Sequence, residues 1–267
     1  MCGVAETIKC AVAVSRPIGW KAYLWMGLLG FIEGANFNFV SGLVFTYSLL
    51  SYLATAFAIN NLFDSPGDLV NPRKNNPLNR GCNRLGVYVV VCNQLLALVA
   101  VLVLTPLKCV ITYILAVAFS VIYSAPPLRL KGRAGLDVLS HVLYFGILLY
   151  LYGLYLAEGE ITLPILPMIA TIGFYSAFLQ LRNLEEDRLY DMMYGDKTLF
   201  VVHPILAKYL LVLTGISSII GSIMYVPFNP LVVVPLLMFS LAIGYRYGWK
   251  RFVDAFVVFS LSLGVIK

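Results

Sequence analysis

Long apolar segments alternate with short polar ones along almost the whole chain. From these segments we predict nine transmembrane helices, at about residues 20–33, 39–63, 85–104, 108–124, 137–157, 162–184, 203–225, 230–248 and 252–267. A helix needs roughly 20 mostly apolar residues to cross a bilayer, and most of these segments approach that length. The last segment runs into the end of the chain at Lys267, which leaves open whether the sequence continues. The pattern predicts an all-α integral membrane protein.

The composition also indicates that the chain folds in a lipid bilayer. Of the 267 residues, 60% are hydrophobic and 12% are charged, whereas soluble domains carry about 25% charged residues. The net charge of +6 does not indicate a nucleic-acid partner, because apolar segments separate the basic residues. The five cysteines have neither the spacing of a disulfide framework nor that of a metal site. No sequence feature implies a protein partner. The apolar composition predicts membrane lipid as the environment.

The basic residues fall mainly in alternate loops, those after the second, fourth, sixth and eighth predicted helices. With nine helices, these loops lie on one side of the membrane. The positive-inside rule places that side in the cytoplasm. We therefore predict a multi-pass protein of the cell membrane whose basic loops are cytoplasmic.

Two of these loops are long and polar, residues 64–84 and 185–202, and both begin with acidic residues. They lie four predicted helices apart. This arrangement predicts one domain over residues 1–267, made of two similar four-helix halves and a terminal helix. The halves are expected at about 15–124 and 137–248.

The first polar loop follows a segment that carries Asn60, Asp64 and Asp68, which are four residues apart. Residues with this spacing lie on one face of an α-helix. Pro66 and Gly67 are predicted to end the helix first, so that Asp68 reaches the site from a loop. The segment predicts a cluster of oxygen ligands at one end of the bundle.

The second polar loop carries a similar group. Asp187 and Asp191 are again four residues apart, and Asn183 precedes Asp187 by one turn. Carboxylates repel a diphosphate but bind it through Mg²⁺, a hard ion that prefers carboxylate and phosphate oxygens. Two acidic clusters suit one ion each, and nearby lysines and arginines neutralise the charge that remains. The two clusters therefore predict a site for a magnesium–diphosphate complex.

Such a site favours an enzyme that breaks the C–O bond of an allylic diphosphate. The metal ions stabilise the leaving diphosphate, and an apolar bundle excludes water from the carbocation-like transition state. The residues alone leave alternatives open. In one alternative the aspartates are solvated loop residues. In others they form part of an ion pathway in a transporter, or they are ligands in another metal-dependent membrane transferase. Among the last group, the D-G-x-x-A-R signature of CDP-alcohol phosphotransferases is absent.

The two acidic segments resemble the paired aspartate motifs of the UbiA superfamily of intramembrane prenyltransferases. The first family motif, N-D-x-x-D-x-x-x-D, stands here as Asn60-Asn61-x-x-Asp64-x-x-x-Asp68. The second, D-x-x-x-D-x-x-x-G, stands as Asp187, Asp191 and Gly195. Asn61 replaces the usual aspartate, which removes one candidate acidic group.

Two further segments carry the resemblance. The sequence YSAPPLRLKGR at residues 123–133 resembles the family's Y-S-x-P-P-x-x-x-K element, and Arg16-Pro17 resembles the Arg-Pro before the first helix. One position departs from the pattern, because Asn76 precedes Pro77 where many members have arginine. Basic residues of the first loop are candidates to supply the missing positive charge.

The resemblance implies nine transmembrane helices around a central lipophilic cavity, Mg²⁺ as cofactor, a prenyl diphosphate donor and a lipophilic acceptor. It implies catalytic and metal-binding roles for Asp64, Asp68, Asp187 and Asp191, with Asn60 as a further metal ligand. We expect the diphosphate to be bound by Lys131, Arg129, Lys74, Arg73, Arg80 and Arg16. We expect the substrate cavity to include Tyr123, Ser124, Asn183 and Tyr190.

These motifs concern the donor and leave the acceptor open. A glycerol-phosphate ether lipid or a quinone-type aromatic compound is the acceptor that we favour. The two histidines, His141 and His203, lie near predicted helix starts and have no carboxylate beside them. We expect them at the membrane interface rather than as bases.

Overall fold

The computed structural model describes residues 3–36, 38–227 and 229–265. In this part of the chain the regular elements are helices joined by loops and short 3₁₀ turns. The helices are α1 Val4–Ser15, α2 Lys21–Gly34, α3 Phe39–Asp68, α4 Leu85–Leu104, α5 Leu107–Ser124, α6 Leu136–Leu156, α7 Leu166–Tyr194, α8 Leu199–Val202, α9 Pro204–Ile223, α10 Pro230–Tyr247 and α11 Trp249–Val265. The predicted all-α class is confirmed.

Seven helices of the described chain are long and apolar enough to cross a membrane: α3, α4, α5, α6, α7, α9 and α10. The first and last predicted spans form shorter helices, α2 with 14 residues and α11 with 17. The count of nine spans and the division into two halves therefore stay predictions. Residues 266 and 267 of the last predicted span lie outside the described residues.

The two long helices α3 and α7 carry the acidic motifs. At 1.5 Å per residue, the 30 residues of α3 extend over about 45 Å, while the apolar core of a bilayer is about 30 Å thick. Both helices run past their predicted ends, to Asp68 and Tyr194. The excess length brings the motifs to one end of the bundle.

The prediction that Pro66 and Gly67 end the helix before Asp68 is wrong. Helix α3 continues through Pro66 and ends at Asp68. A proline fixes φ near its helical value and removes one backbone donor. In the last turn of a helix this disturbs few bonds, so Asp68 remains on the face that carries Asn60 and Asp64.

Helices α2 and α6 cross at very short range. A Cβ atom placed on Gly30 would lie 1.9 Å from the carbonyl oxygen of Tyr150, and one on Gly153 would lie 2.2 Å from the carbonyl oxygen of Gly27. Small residues allow this approach, and in a membrane helix contacts depend on such van der Waals packing. The crossing holds Tyr23 of α2 against the start of α6, next to the site.

The N-terminal helix α1 packs against α3 and α4. The Asn61 side chain, completely buried, donates from Nδ2 to the carbonyl oxygen of Val14 at 2.6 Å. This bond fixes the end of α1 beside the first motif. Arg16 follows directly and reaches Asp68, with 3.6 Å between Nη2 and Oδ2.

Candidate active site

The two acidic motifs line one cavity of about 300 Å³ between the ends of α3 and α7. Asn60 and Asp64 contribute from α3, and Asp187 and Asp191 from α7. Because each group is spaced by four residues on a continuous helix, both residues of each pair face the same way. The chain folds the two motifs toward each other, as a shared diphosphate site requires.

Lysines from two loops pair with the motif carboxylates. Lys74, in the loop after α3, donates to Asp187 of α7, with 2.6 Å between Nζ and Oδ2. Lys131, in the loop between α5 and α6, pairs with Asp64 of α3. Each of these ammonium groups sits on a motif carboxylate, and so marks a position that favours a cation.

A smaller pocket of about 60 Å³ adjoins the first one. Asp68, Arg129 and Tyr190 line it together with Asp64 and Asp187. The two pockets share these last residues, so they form one continuous polar region at the ends of the helices.

Arg129 connects this region to the loop after α7. Its two terminal nitrogens, Nη1 and Nη2, donate to the two carboxylate oxygens of Asp196 at 2.5 and 3.2 Å. Its Nη2 also lies 3.6 Å from Asp64 Oδ1, and its guanidinium lies over the ring of Tyr194 at 5.2 Å. The backbone reinforces this contact, because Lys197 N–H donates to the Gly132 carbonyl at 3.1 Å. The 125–135 loop is thereby held over the site.

The Asp68 carboxylate has two polar partners. Asn76 donates to it at 2.9 Å, and Arg16 lies on its other side. Burial lowers the pKa of Arg16, and the carboxylates of Asp68, Asp64 and Asp187 raise it in part. An arginine remains charged under these conditions, so Arg16 adds one positive charge at the edge of the site.

One wall of the large cavity is aromatic. Tyr23, Phe57, Tyr144 and Phe145 line it, and Tyr23 stacks on Phe145 with 4.0 Å between ring centroids. Tyr123 also lines the cavity, and its hydroxyl accepts from Gln180 Nε2 at 2.9 Å. The cavity therefore passes from a charged rim to an apolar interior, which suits a molecule with a charged head and a hydrocarbon chain.

The structure places most of the predicted site residues around these two pockets. The large cavity is lined by Asn60, Asp64, Asp187, Asp191, Lys74, Lys131, Tyr123, Ser124 and Asn183. The smaller pocket adds Asp68, Arg129 and Tyr190. Arg16 pairs with Asp68 at the edge. Arg73 and Arg80 are exposed, and Arg80 lines a separate pocket beside α1; neither lines the two pockets of the site.

Several residues of the site were not anticipated from the sequence. Asp196 binds Arg129, and Asn71 donates to Asp187 at 3.4 Å. Asp196 directly follows the glycine of the second motif, and this position is a sequence signal for a role in the site. Tyr23 and Gln180 lie in apolar segments, where the sequence carries no such signal.

The expected interfacial position of His141 is wrong. Its side chain is 2% exposed and lines the aromatic part of the cavity. Although His141 lies near the start of α6, the neighbouring helices α2 and α7 cover it. His203, in contrast, is exposed at the start of α9.

Residues 22–258 match the protein-family model described as the UbiA prenyltransferase family. The chain belongs to this family. The match covers the helices that carry both acidic motifs and the loop with Lys131, so the resemblance drawn from the motifs is confirmed.

Among curated proteins, the chain is similar to two lycopene elongase/hydratases. It is 35% identical over 140 residues to that of Halobacterium salinarum, a match over 49% of this chain and 50% of that protein. It is 27% identical over 146 residues to that of Corynebacterium glutamicum, over 52% and 50% respectively. The chain thus spans about half the length of the curated relatives it matches.

Solved structures show the same UbiA fold. A UbiA homologue from Archaeoglobus fulgidus bound to GPP and Mg²⁺ has a TM-score of 0.72 with 20% identity, and the match covers 96% of this chain and 98% of that one. An apo UbiA homologue from Aeropyrum pernix K1 has a TM-score of 0.69 with 16% identity, over 100% and 98%. At such identities the likeness concerns the fold.

The two departures from the UbiA motif have structural explanations. Asn61 faces α1 rather than the cavity, and its amide donates to a backbone carbonyl, which a carboxylate is unable to do. Asn76 occupies the position where many members have arginine. It donates both to Asp68 and to the backbone carbonyl of Asn61, at 2.9 and 2.8 Å. At this position an uncharged side chain thus binds Asp68.

The oxygen ligands of the site fit Mg²⁺ whose coordination is completed by water or phosphate oxygens. Among the described residues, no group of three or more His, Cys, Asp or Glu side chains is arranged to hold a metal ion. Mg²⁺ is usually held by one or two carboxylates together with water and phosphate oxygens. Asp64 with Asn60 and Asp187 with Asp191 are pairs of that kind, and lysine ammonium groups already contact Asp64 and Asp187.

Proposed function

We propose that this protein transfers an isoprenyl group from a prenyl diphosphate to a lipophilic acceptor, with Mg²⁺ as cofactor. One observation carries the proposal. The carboxylates of two motifs, each paired with a lysine from another loop, stand at the rim of a cavity with an aromatic interior. Cations on carboxylates suit a metal–diphosphate head, and the interior suits an isoprenyl chain.

Asn60, Asp64, Asp187 and Asp191 are the residues that would hold Mg²⁺. Bound there, the metal supplies positive charge that stabilises the departing diphosphate. Similarity supports this cofactor, because the Archaeoglobus fulgidus homologue of the same fold binds GPP and Mg²⁺.

The basic residues of the rim bind and orient the diphosphate. Lys74 pairs with Asp187, and Lys131 pairs with Asp64. Arg129 lies between Asp64 and Asp196. With Mg²⁺ bound at the carboxylates, these cations would be free to bind the phosphate oxygens. Their charge is preorganised where negative charge grows as the C–O bond breaks.

The aromatic wall binds the allylic part of the donor. Tyr23, Phe57, Tyr144 and Phe145 exclude water, which would otherwise capture the carbocation. Their ring faces also attract positive charge. Bond breaking is thereby favoured at the boundary between the rim and the aromatic wall.

Two features of the site bear on the rival functions. The described charges of the site lie at one end of the bundle, whereas a transporter needs polar residues near the middle of the membrane. The aromatic wall likewise suits a reacting hydrocarbon better than an ion. Prenyl transfer therefore accounts for more of the site than a transporter does.

The acceptor is proposed from two sources. The family resemblance leads us to favour a glycerol-phosphate ether lipid or a quinone-type aromatic compound. The partial similarity to lycopene elongase/hydratases adds a carotenoid hydrocarbon to these candidates. A panel with one acceptor of each class, analysed by mass spectrometry of the extracted lipids, distinguishes them.

The proposal is tested by donor binding in lipid nanodiscs. A non-hydrolysable thiolodiphosphate analogue of geranylgeranyl diphosphate is titrated with and without Mg²⁺, and isothermal titration calorimetry measures binding. We expect binding only with Mg²⁺, since the carboxylate rim repels the free diphosphate. Binding of equal strength in EDTA, or no binding in either condition, would contradict the proposed function.

A further inference from the structure

A buried histidine–tyrosine pair lies in the aromatic wall, beside Phe145. His141 Nε2 and the hydroxyl of Tyr23 are 3.2 Å apart. Both residues line the large cavity, and they are 2% and 9% exposed. The imidazole is thus a basic group that the cavity offers among its aromatic side chains.

A second hydroxyl orients the imidazole. Ser176 Oγ lies 3.2 Å from His141 Nδ1 and 3.3 Å from the carbonyl oxygen of the same residue. A serine hydroxyl has one hydrogen. If it is donated to the carbonyl oxygen, Nδ1–H donates to Ser176 Oγ, and the lone pair of Nε2 accepts from Tyr23. The imidazole is then neutral, with its basic nitrogen on the side of the cavity.

The local backbone is specialised at this position. A π-helical turn, Val142–Ile147, begins directly after His141. Such turns occur mostly as single insertions and frequently at functional sites. Gly146 in this turn permits close packing, because a Cβ atom there would lie 2.8 Å from Ser176 Cβ. The close packing brings Ser176 to the imidazole.

We propose that the Tyr23–His141 pair accepts the proton that the acceptor loses during prenyl transfer. This inference rests on the proposed function. The C–O bond of the donor breaks, and its electron pair leaves with the diphosphate. A bond then forms between the allylic carbon and a carbon or oxygen of the acceptor, and the adduct carries one positive charge. A C–H or O–H proton of the adduct moves to Tyr23, whose own proton moves to His141 Nε2.

The charge balance suits an apolar wall. The adduct is already a cation inside the cavity, so formation of imidazolium moves a positive charge and creates none. The ring faces of Tyr144 and Phe145 lie beside the imidazole, with centroids at 5.8 and 5.2 Å, and they attract that charge. The imidazolium returns its proton to water after the product leaves.

The test uses His141→Gln and Tyr23→Phe, with His203→Gln as the matched control because His203 is exposed and outside the cavity. Tyr23→Phe keeps the ring that stacks on Phe145 and removes only the hydroxyl. Each variant is assayed with geranylgeranyl diphosphate, Mg²⁺ and three acceptors: a geranylgeranyl glycerol phosphate, 4-hydroxybenzoate and lycopene. The acceptor that the wild type prenylates is then used with deuterium at the position that loses the proton, in D₂O for a hydroxyl.

We expect His141→Gln to lower turnover at saturating acceptor by about 100-fold, as loss of a general base does. Donor KM remains at its wild-type value, and a deuterium isotope effect that the wild type lacks becomes visible. Tyr23→Phe shows the same isotope effect, and His203→Gln leaves all values unchanged.

Reduced turnover without an isotope effect in either variant would show a structural role and overturn the inference alone. Unchanged turnover in both variants would overturn it as well. If the wild type prenylates none of the three acceptors and binds no donor analogue, the proposed function fails and the inference falls with it.

Discussion

Lys74 donates to Asp187 at 2.6 Å, and so connects the loop after the first acidic motif to a carboxylate of the second. In the proposed function, Mg²⁺ held by the carboxylates would leave the ammonium groups free to bind phosphate oxygens. We therefore expect both partners of such pairs to affect donor binding, but in different ways.

Replacing Lys131 with Gln removes an ammonium group that lies on Asp64. We expect donor affinity to fall by roughly tenfold to 100-fold, since hydrogen bonds to charged groups contribute about 1.5–3 kcal/mol. We expect turnover to fall as well, because an ammonium group at this position would stabilise charge that grows on the leaving group. Steady-state kinetics with varied prenyl diphosphate measures both.

Arg133→Gln is the control for Lys131, because Arg133 lies in the same loop but donates to the backbone carbonyl of Pro127. We expect it to leave donor affinity unchanged. Equal effects of the two substitutions would mean that both act through the general positive charge of the loop.

Removal of a motif carboxylate tests the metal ligands. We expect Asp64→Ala and Asp187→Ala each to reduce turnover by at least about 100-fold, because a bound metal contributes several kcal/mol to the transition state. Glu158→Ala serves as the control, since this acidic residue lies in the α6–α7 loop away from the two pockets. Wild-type activity in both aspartate variants, at equal expression and with a normal melting curve, would exclude a metal role for these residues.

Asn61→Asp restores the residue that is usual in the family motif, and we expect it to destabilise the protein. The side chain is completely buried and donates to the Val14 carbonyl, and a carboxylate there has no hydrogen to donate and loses its hydration. Burial of an unsatisfied polar group costs about 1–3 kcal/mol, and more if it is charged. The measurement is the melting temperature in detergent.

Asn60→Asp is the matched control for Asn61→Asp, because Asn60 is the neighbouring residue and lines the cavity. It changes activity or metal affinity with a smaller effect on melting. A higher melting temperature or higher activity for Asn61→Asp would contradict the structural role of Asn61.

The crossing of α2 and α6 makes a stability prediction that is independent of chemistry. Gly30→Leu places atoms where the Tyr150 carbonyl lies, 1.9 Å from an ideal Cβ. Overpacking of this kind costs about 1–3 kcal/mol or more, so we expect lower melting temperature and expression. Gly42→Ala is the control, since nothing lies within 4 Å of its Cβ position. If Gly30→Leu melts like the wild type, the close helix crossing is wrong.

The orientation of the bundle stays a prediction and has a direct test. Asn75 and Thr162 are exposed in loops after α3 and before α7. In a background without native cysteines, we expect an impermeant thiol reagent added to intact cells to label Thr162→Cys and to leave Asn75→Cys unlabelled. The positive-inside rule places the loop with Asn75 in the cytoplasm. The reverse labelling pattern would show that the predicted orientation in the membrane is wrong.

The sequence alone determined the features that depend on local spacing. Apolar runs predicted an all-α membrane protein, because the bilayer requires backbone groups to be satisfied within each helix. A spacing of four placed Asn60, Asp64 and Asp68 on one face, as a helical repeat dictates. The helix ends were harder, because the cost of Pro66 depends on how many turns follow it.

Tertiary structure decided which side chains meet. The pairing of Lys74 with Asp187, the orientation of Asn61 toward α1 and the placement of Arg73 and Arg80 outside the two pockets all depend on how loops cross the helix ends. His141 shows the reason most clearly. Its sequence neighbours suggested an interface, but contacts from α2 and α7, far away along the chain, bury it. Helical periodicity fixes a face, whereas packing between distant helices fixes what that face touches.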